Sequence, residues 1–153
     1  GRKKWKKGGG ILATVDLDTG NRTKRKLNAD VVLEARHYAE MFDLPLSVLA
    51  VIEVPTLLAD LDLVDVKTWA KERKAELQPV LEALAEDTGL PISAFKLKRG
   101  PVAKTIVSEA YEQKAQLVVM GTVARKGVKA QVIGNTAENV LNLLKTDTLT
   151  LKP

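Results

Sequence analysis

Residues 121 to 140, GTVARKGVKAQVIGNTAENV, combine residue types that together can hold a phosphate group. Gly121 and Gly134 let backbone N–H groups approach an anion without obstruction by a side chain. Arg125 and two lysines between these glycines add positive charge, and neighbouring Thr and Asn side chains offer hydrogen bonds to phosphate or ribose oxygens. The segment is therefore a candidate phosphate loop. Spaced glycines after a strand also occur in ordinary surface loops, and that alternative stays open.

The second glycine of this segment precedes a predicted helix. Asn135 is a good N-cap residue and Glu138 follows three positions later, so the pair reads as a capping box. A helix N-terminus carries about half a positive charge, which favours a bound anion. A helix that caps itself leaves fewer free N–H groups for a phosphate, so Asn135 weakens the phosphate interpretation without removing it.

Other residues with reactive or metal-binding side chains give no comparable pattern. His37 lies off the apolar stripe of its predicted helix, so we expect a solvated position. Asp60, Asp62 and Asp65 lack the glycine and the terminal glutamate of a calcium loop, and we assign them to a polar loop surface. The sequence contains neither a GxSxG nor an HExxH motif. We predict no catalytic residue and no metal site, and leave slow ATP hydrolysis open.

The elements that must position the loop follow from hydrophobic periodicity. Short apolar runs alternate along the chain with amphipathic stretches, an order that predicts a parallel sheet with helices on both faces. Ligands of such sheets bind beyond the carboxyl ends of the strands, which here are followed by Asp16, residues 51–53 and Gly121. The predicted strands are 11–15, 48–54, 92–98, 117–120 and 148–152, and the predicted helices are 26–42, one ending near 88, 102–114 and 135–144.

The composition and charge of the chain restrict its class. A chain of 153 residues with 45% hydrophobic and 28% charged residues is typical of one globular domain, here residues 11–153. Five of the 24 cations lie in the first seven residues, and without them the charges balance at 19 to 19. We interpret residues 1–10 as a basic, glycine-rich linker or a remnant, rather than a nucleic-acid-binding segment.

Two absences in the sequence bear on compartment and chemistry. No cysteine is present, which excludes disulfides and thiolate chemistry. No apolar run reaches the length of a membrane span, and the basic N-terminus lacks the apolar core of a secretory signal. We therefore expect a cytoplasmic protein.

Four segments together resemble the universal stress protein domain over residues 11–153. They are VDLD after the first strand, LVVMGT at the end of the fourth, the spaced GNTAENV, and the final TLTLKP. GTVARKG followed by GNTAENV is most similar to the second half of tandem, E-type members. The resemblance implies a Rossmann-like, five-stranded parallel sheet in the order 3-2-1-4-5 and a role in the stress response. It also implies pairing with a second copy or a tandem sister domain through the last strand, Thr148 to Lys152.

The resemblance further implies an ATP site, with Mg²⁺ arriving only with the nucleotide. ATP-binding members carry a glycine, two residues, a glycine, nine residues, and then glycine with Ser or Thr. Gly121 and Gly134 match this pattern, whereas Ala124 and Asn135 depart from it. A β-carbon at a position that requires a positive φ costs roughly 1 kcal/mol.

Two further positions match the nucleoside end of such a site. Asp16 corresponds to an acidic residue that helps to hold adenosine, and Val51 to a position that lines adenine. The alternative is the same fold without nucleotide, acting as a dimerisation or protein-interaction module. The candidate nucleotide-binding residues are Thr14, Val15, Asp16, Val51, Met120, Gly121, Thr122, Ala124, Arg125, Gly134, Asn135, Thr136 and Ala137.

Overall fold

A computed structural model describes residues 9–17, 22–54, 60, 65–121 and 147–151 of the chain. Strands and helices alternate from residue 10 to residue 121, as the periodicity predicts. In chain order the elements are β1 (Gly10–Val15), α1 (Arg22–Phe42), β2 (Leu46–Ile52), α2 (Val66–Thr88), a short 3-10 turn (Ile92–Ala94), β3 (Phe95–Arg99), α3 (Val102–Glu112), β4 (Ala115–Gly121) and β5 (Asp147–Leu151).

The five strands form one parallel sheet in the order β3-β2-β1-β4-β5. This confirms the predicted fold and strand order. β1 lies in the centre, where Ile11 is opposite Leu46 of β2 on one side and Leu117 of β4 on the other. Because a central strand is covered on both faces, β1 is apolar at nearly every position.

Alternate residues of the strands supply two separate cores. The first core lies against α1 and α2 and contains Ile11 and Ala13 of β1 together with α1 residues such as Val31 and Ala35. The second core lies on the opposite face and joins Leu12 of β1 to Ile106 and Ala110 of α3, with β2 and β4 residues between them. A side-chain period of two along each strand produces this division, and it decides which crevice residues share a face.

Several predicted boundaries were wrong. β2 covers residues 46–52 rather than 48–54, and α1 begins at Arg22 rather than near residue 26. The predicted third strand began at residue 92, but Ile92–Ala94 form a 3-10 turn in which the Ala94 N–H donates to the Pro91 carbonyl at 3.0 Å. Three alternating residues are too few to separate a strand from a turn. The fourth predicted helix, 135–144, lies outside the described residues.

Capping residues determine where α2 begins and ends. Asp65 caps the start, because its Oδ1 accepts the Lys67 N–H at 3.0 Å and its Oδ2 accepts the Thr68 hydroxyl at 3.0 Å. The hydrogen bond from Thr68, followed by those from backbone N–H groups, lowers the pKa of Asp65. Gly89 ends the helix with φ of 70°, a left-handed conformation that favours glycine, as predicted.

One ionisable side chain of α3 is buried in the described part of the chain. Glu109 is 1% exposed and pairs with two lysines of β3, at 2.9 Å from Oε1 to Lys96 Nζ and by a closer contact from Oε2 to Lys98. Gln113 Nε2 donates to the same carboxylate at 2.5 Å, and the Ser47 hydroxyl of β2 donates to the Gln113 Oε1. This network joins α3 to β2 and β3.

Burial and pairing act on Glu109 in opposite directions. Burial alone raises its pKa, but hydrogen bonds from Lys98, Lys96 and Gln113 outweigh burial and lower the pKa to about 2. The Glu109 carboxylate therefore stays ionised at neutral pH. A buried carboxylate without these partners would be costly to ionise.

None of the helices in the described ranges combines the length and the apolar character that crossing a bilayer requires.

Candidate functional site

The carboxyl ends of β1, β2 and β4 meet at one edge of the sheet, where three predicted site residues share a face. Met120 lies in the second core at 3% exposure, and Val51 packs against that core while remaining partly exposed. Thr14 follows Leu12 by two positions and so belongs to the same face. Val102 and Ala103, at the start of α3, pack against the same core. Val51, Val102 and Ala103 therefore give a small apolar surface at the sheet edge, with Thr14 and Met120 buried beneath it.

Val15 is separated from this group. It packs against the first core, on the opposite face of the sheet. Only the backbone of Val15 is therefore available to a ligand on the α3 face. Successive side chains of a strand point to opposite faces of the sheet. Because Thr14 lies on the α3 face, the Val15 side chain lies on the face covered by α1 and α2.

Asp16 follows β1 directly, and its backbone is held by Asn28 of α1. The Asp16 N–H donates to Asn28 Oδ1 at 3.2 Å, and Asn28 Nδ2 donates to the Asp16 carbonyl at 2.6 Å. Asn28 is 8% exposed, so the pair of bonds is largely shielded from water. Leu17, buried at 5% exposure, anchors the next residue. Asp16 itself is exposed.

A second carboxylate, Glu53, follows β2 and contacts the start of α3. Its Oε2 accepts the N–H of Val102 at 3.2 Å across 49 positions of sequence. The turn before α3 is fixed as well, because the Gly100 N–H donates to the Ile52 carbonyl at 3.0 Å. Pro101 occupies the N-cap position and provides no side-chain cap. Glu53, which follows β2, therefore caps the N-terminus of α3.

Gly121 ends β4, and its lack of a side chain has a packing reason. A β-carbon placed on Gly121 would lie 2.7 Å from Leu27 Cδ2 and 2.9 Å from Leu27 Cγ, both on α1. Leu27 is 7% exposed and belongs to the first core, so it has little room to move. Close approach of α1 to the end of β4 requires glycine here, whatever the loop beyond it binds.

The remaining predicted site residues lie outside the described part of the chain, and the phosphate side of the site stays a prediction. They are Thr122, Ala124, Arg125, Gly134, Asn135, Thr136 and Ala137.

Of the other candidates, His37, Asp60 and Asp65 lie in the part of the chain that the structure describes, and Asp62 lies outside it. His37 is exposed, in agreement with its predicted solvated position. Asp65 serves as a helix cap, and Asp60 is exposed. No cluster of three or more His, Asp or Glu side chains suited to a metal ion occurs within the ranges that the structure describes.

Sequence reasoning missed two groups that shape the crevice, namely Asn28 and the capping contact of Glu53. The signal for Asn28 was present, because a polar residue at this position interrupts the buried face of α1 between Leu27 and Val31. A polar residue on an apolar helix face needs a partner, and Asp16 provides it. No local pattern could identify the contact between Glu53 and Val102, since it joins distant elements.

The sequence of the chain matches a known protein family. The model of the universal stress protein family matches residues 24–152. The universal stress protein E of Escherichia coli K12 is 27% identical over 159 residues, an alignment that covers 97% of this chain and 48% of the relative. The chain thus spans about half the length of the curated relatives that align with nearly all of it.

Solved structures show the same fold. A universal stress protein from Pseudomonas aeruginosa UCBPP-PA14 superposes with a TM-score of 0.75 at 29% identity, covering 95% of this chain and 48% of that one. A universal stress protein in complex with cAMP superposes with a TM-score of 0.59 at 18% identity, covering 94% of this chain and 97% of that one. The family match over most of the chain and the shared sheet order lead to one conclusion. This chain belongs to the universal stress protein family.

Proposed function

We propose that the chain is a non-catalytic regulatory domain of the stress response that binds an adenine nucleotide, or another small anion, at the carboxyl edge of β1, β2 and β4. The proposal rests on one observation. Val51 and the start of α3 form an apolar surface over the buried Met120, and the backbone of Asp16, directly after β1, exchanges two hydrogen bonds with Asn28. Small-molecule sites commonly combine an apolar surface with a few well-placed polar groups.

The chemistry of an adenine nucleotide suits these residues. A flat base packs against Val51 and the start of α3, above the buried Met120, while the Asp16 carboxylate accepts hydrogen bonds from ribose hydroxyls. The phosphates extend toward the segment after Gly121, where Arg125 and the neighbouring lysines supply positive charge. Mg²⁺ accompanies the phosphates, because this ion usually binds through substrate phosphates and water.

Family membership supports the proposal, and one relative of the same fold was solved in complex with cAMP. The non-catalytic role is supported by the absence of GxSxG and HExxH motifs from the sequence. Binding of a nucleotide then acts by changing association with another domain or protein.

Titration calorimetry with Mg-ATP tests the binding proposal on the parent chain, on Ala124→Gly and on Asp16→Asn. We expect binding by the parent, tighter binding by Ala124→Gly, and weaker binding by Asp16→Asn. Asp87→Asn is a matched control, because Asp87 is an exposed aspartate on α2, away from the crevice. An absence of heat for both the parent and Ala124→Gly would refute nucleotide binding by this domain. Sustained release of inorganic phosphate from ATP would refute the non-catalytic role.

The second candidate function is an interaction module without nucleotide, and the two edges of the sheet favour it. The β3 edge carries Lys96 and Lys98, and charged residues on an edge strand discourage further strand pairing. Residues 148–151 of the β5 edge, TLTL, carry no charge, and Leu149 and Leu151 continue the first core to that edge. We propose β5 as the surface for a second copy or a sister domain. A strictly monomeric sedimentation profile across a wide concentration range would contradict pairing with a second copy.

A further inference from the structure

The side of α1 that is opposite its buried residues carries a regular row of exposed side chains. Lys26, Leu33 and Glu40 follow each other at intervals of seven positions, which is close to two helical turns, so they lie on one side of the helix. Asp30 and His37 are also seven positions apart and lie between them on the same side. All five residues are exposed. We call these five residues the outer stripe.

Apolar surface lies at the middle of the outer stripe and beside its end. Leu33 is 45% exposed, and Met41, next to Glu40, is 56% exposed. The other side of α1 belongs to the first core through residues such as Val31 and Ala35. Single exposed apolar residues are common in proteins, so the exposure of Leu33 and Met41 does not by itself indicate a partner. The charges around them do.

The charges of α1 are arranged against the helix dipole. Residues 22–32 contain four cations and one anion, whereas residues 34–43 contain three anions and one cation, with histidine counted as neutral. The first turn of α1 has no acidic residue and the last turn has no basic residue. Because a helix is partly positive at its N-terminus and partly negative at its C-terminus, this arrangement is unfavourable for α1 alone. A second α1 that runs in the opposite direction would offset the cost along its whole length.

The candidate crevice does not account for the cation at the start of the outer stripe. Asn28 is buried and exchanges hydrogen bonds with the Asp16 backbone, so this side of α1 faces the end of β1. Lys26 lies two positions before Asn28 and is therefore rotated by about 200° around the helix axis. The Lys26 side chain thus starts from the side of α1 that is turned away from Asp16.

Neighbouring charges bear on the acidic end of the outer stripe. Arg36 Nε donates to Glu40 Oε1 at 3.0 Å, and Arg36 Nη1 donates to the Thr88 carbonyl at the end of α2 at 2.9 Å. Arg36 therefore offsets part of the Glu40 charge. Glu34 and Asp43 add two further carboxylates, so this end of α1 stays negative. The Glu40 side chain is 67% exposed despite its pair with Arg36, which leaves it open to a second cation.

We propose that the outer stripe is an interface for a second copy of this chain, in which two α1 helices pack antiparallel about a two-fold axis at Leu33. Lys26 lies seven positions before Leu33 and Glu40 seven positions after it, so each Lys26 lies opposite Glu40 of the second copy. Asp30 likewise lies opposite His37, and the two Leu33 side chains contact each other. A parallel pair would bring Lys26 to Lys26 and Glu40 to Glu40, where like charges repel.

The expected dimer is weak and depends on salt. A helix of 21 residues is about 31 Å long. One helix packed on one helix buries less than the roughly 800 Å² per partner of a stable complex, so we expect a Kd on the order of 100 μM. Salt should weaken the dimer, because the paired charges are exposed. The outer stripe and the edge of β5 are different surfaces, so this inference does not rest on pairing through β5.

Reversal of charges, followed by sedimentation equilibrium of the full chain up to millimolar concentration at low salt, tests the antiparallel arrangement. Lys26→Glu and Glu40→Lys each place like charges opposite each other twice per dimer, and each should weaken association by about fivefold to tenfold. The double variant Lys26→Glu/Glu40→Lys restores opposite charges and should recover the parent affinity. Lys104→Glu is the matched control, because Lys104 is exposed on α3 and the change in net charge is the same.

Unfolding does not explain the expected loss in Lys26→Glu, because an acidic residue near the start of α1 favours the isolated helix. A parent chain that stays monomeric at every concentration would overturn the proposal and leave the outer stripe to a different partner. A double variant that associates no better than the single variants would also overturn it. Every variant is also measured with Thr150→Lys, which adds a charge to the edge of β5. A dimer that Thr150→Lys abolishes and charge reversal does not affect pairs through β5 instead.

Cross-linking tests the position of the two-fold axis. The chain contains no cysteine, so Leu33→Cys supplies a single thiol. Because the axis passes beside this position, mild oxidation should give a disulfide-linked dimer on a non-reducing gel. Ile92→Cys is the matched control, since Ile92 is also 45% exposed but lies before β3. We expect little dimer from the control, and equal yields from the two variants would contradict an axis at Leu33.

Discussion

Replacement of Glu109 by glutamine removes the charge from the buried network of α3 while keeping its volume and an acceptor oxygen. Glu109 is 1% exposed, and its carboxylate is paired with Lys96 and Lys98. Glutamine can still accept one hydrogen bond, and the lysine side chains, 46% and 39% exposed, can turn their ammonium groups toward water. We therefore expect Glu109→Gln to fold, with a lower free energy of unfolding than the parent.

The size of the effect follows from the pKa of Glu109. A decrease from 4.5 to about 2 corresponds to roughly 3 kcal/mol of stability contributed by the ionised form. Because both lysines are partly exposed, solvent screens the interaction, and we expect a loss of about 2 kcal/mol at neutral pH for Glu109→Gln.

The dependence on pH has a defined sign. The pKa of Glu109 is lower in the folded state, so its contribution is complete well above pH 4.5 and is lost as the pH falls toward 2. About two fifths of the contribution is already gone near pH 3.5. The difference in unfolding free energy between the parent and Glu109→Gln should therefore become smaller from neutral pH to pH 3.5. The other carboxylates are present in both proteins, so their contributions cancel in this difference.

Urea unfolding followed by circular dichroism measures this difference at several pH values between about 7 and 3.5. Glu112→Gln is the matched control, because its side chain is 64% exposed and lies 3.5 Å from the same Lys98 Nζ. We expect the control to change stability by less than about 0.5 kcal/mol. A parent-to-variant difference that stays constant across this pH range would show that the charge of Glu109 does not stabilise the fold.

Two further variants test the packing of the crevice. Gly121→Ala should lower the free energy of unfolding by about 1 to 3 kcal/mol, because its β-carbon would lie 2.7 Å from Leu27 Cδ2. In a double-mutant cycle with Leu27→Val, measured by urea unfolding, the two losses should be clearly less than additive, and simple additivity would contradict the contact. Asn28→Asp removes the amide donor to the Asp16 carbonyl and should cost about 1 to 3 kcal/mol. An unchanged midpoint of thermal unfolding for Asn28→Asp would show that this bond contributes nothing.

The hydrophobic pattern of the sequence was sufficient to predict most of the secondary structure. Apolar runs such as LVVM at 117–120 and the stripe that includes Val31 and Ala35 depend only on neighbours along the chain, and the structure confirms the elements they indicate. Boundaries were less certain, as the 3-10 turn at Ile92–Ala94 shows, because a short alternating run fits more than one local geometry. The positions of Asp16 and Val51 at strand ends also followed from the sequence.

The tertiary structure alone decided which side chains meet. Asn28 holds Asp16, Glu53 caps α3 at Val102, and Leu27 requires glycine at position 121. Each of these contacts joins two different elements, and each depends on the order of the strands and on how closely a helix approaches the sheet. Hydrophobic periodicity specifies the buried face of an element but not its partner. The partner is determined by the packing of the whole sheet, and the packing of the whole sheet therefore determined the shape of the candidate site.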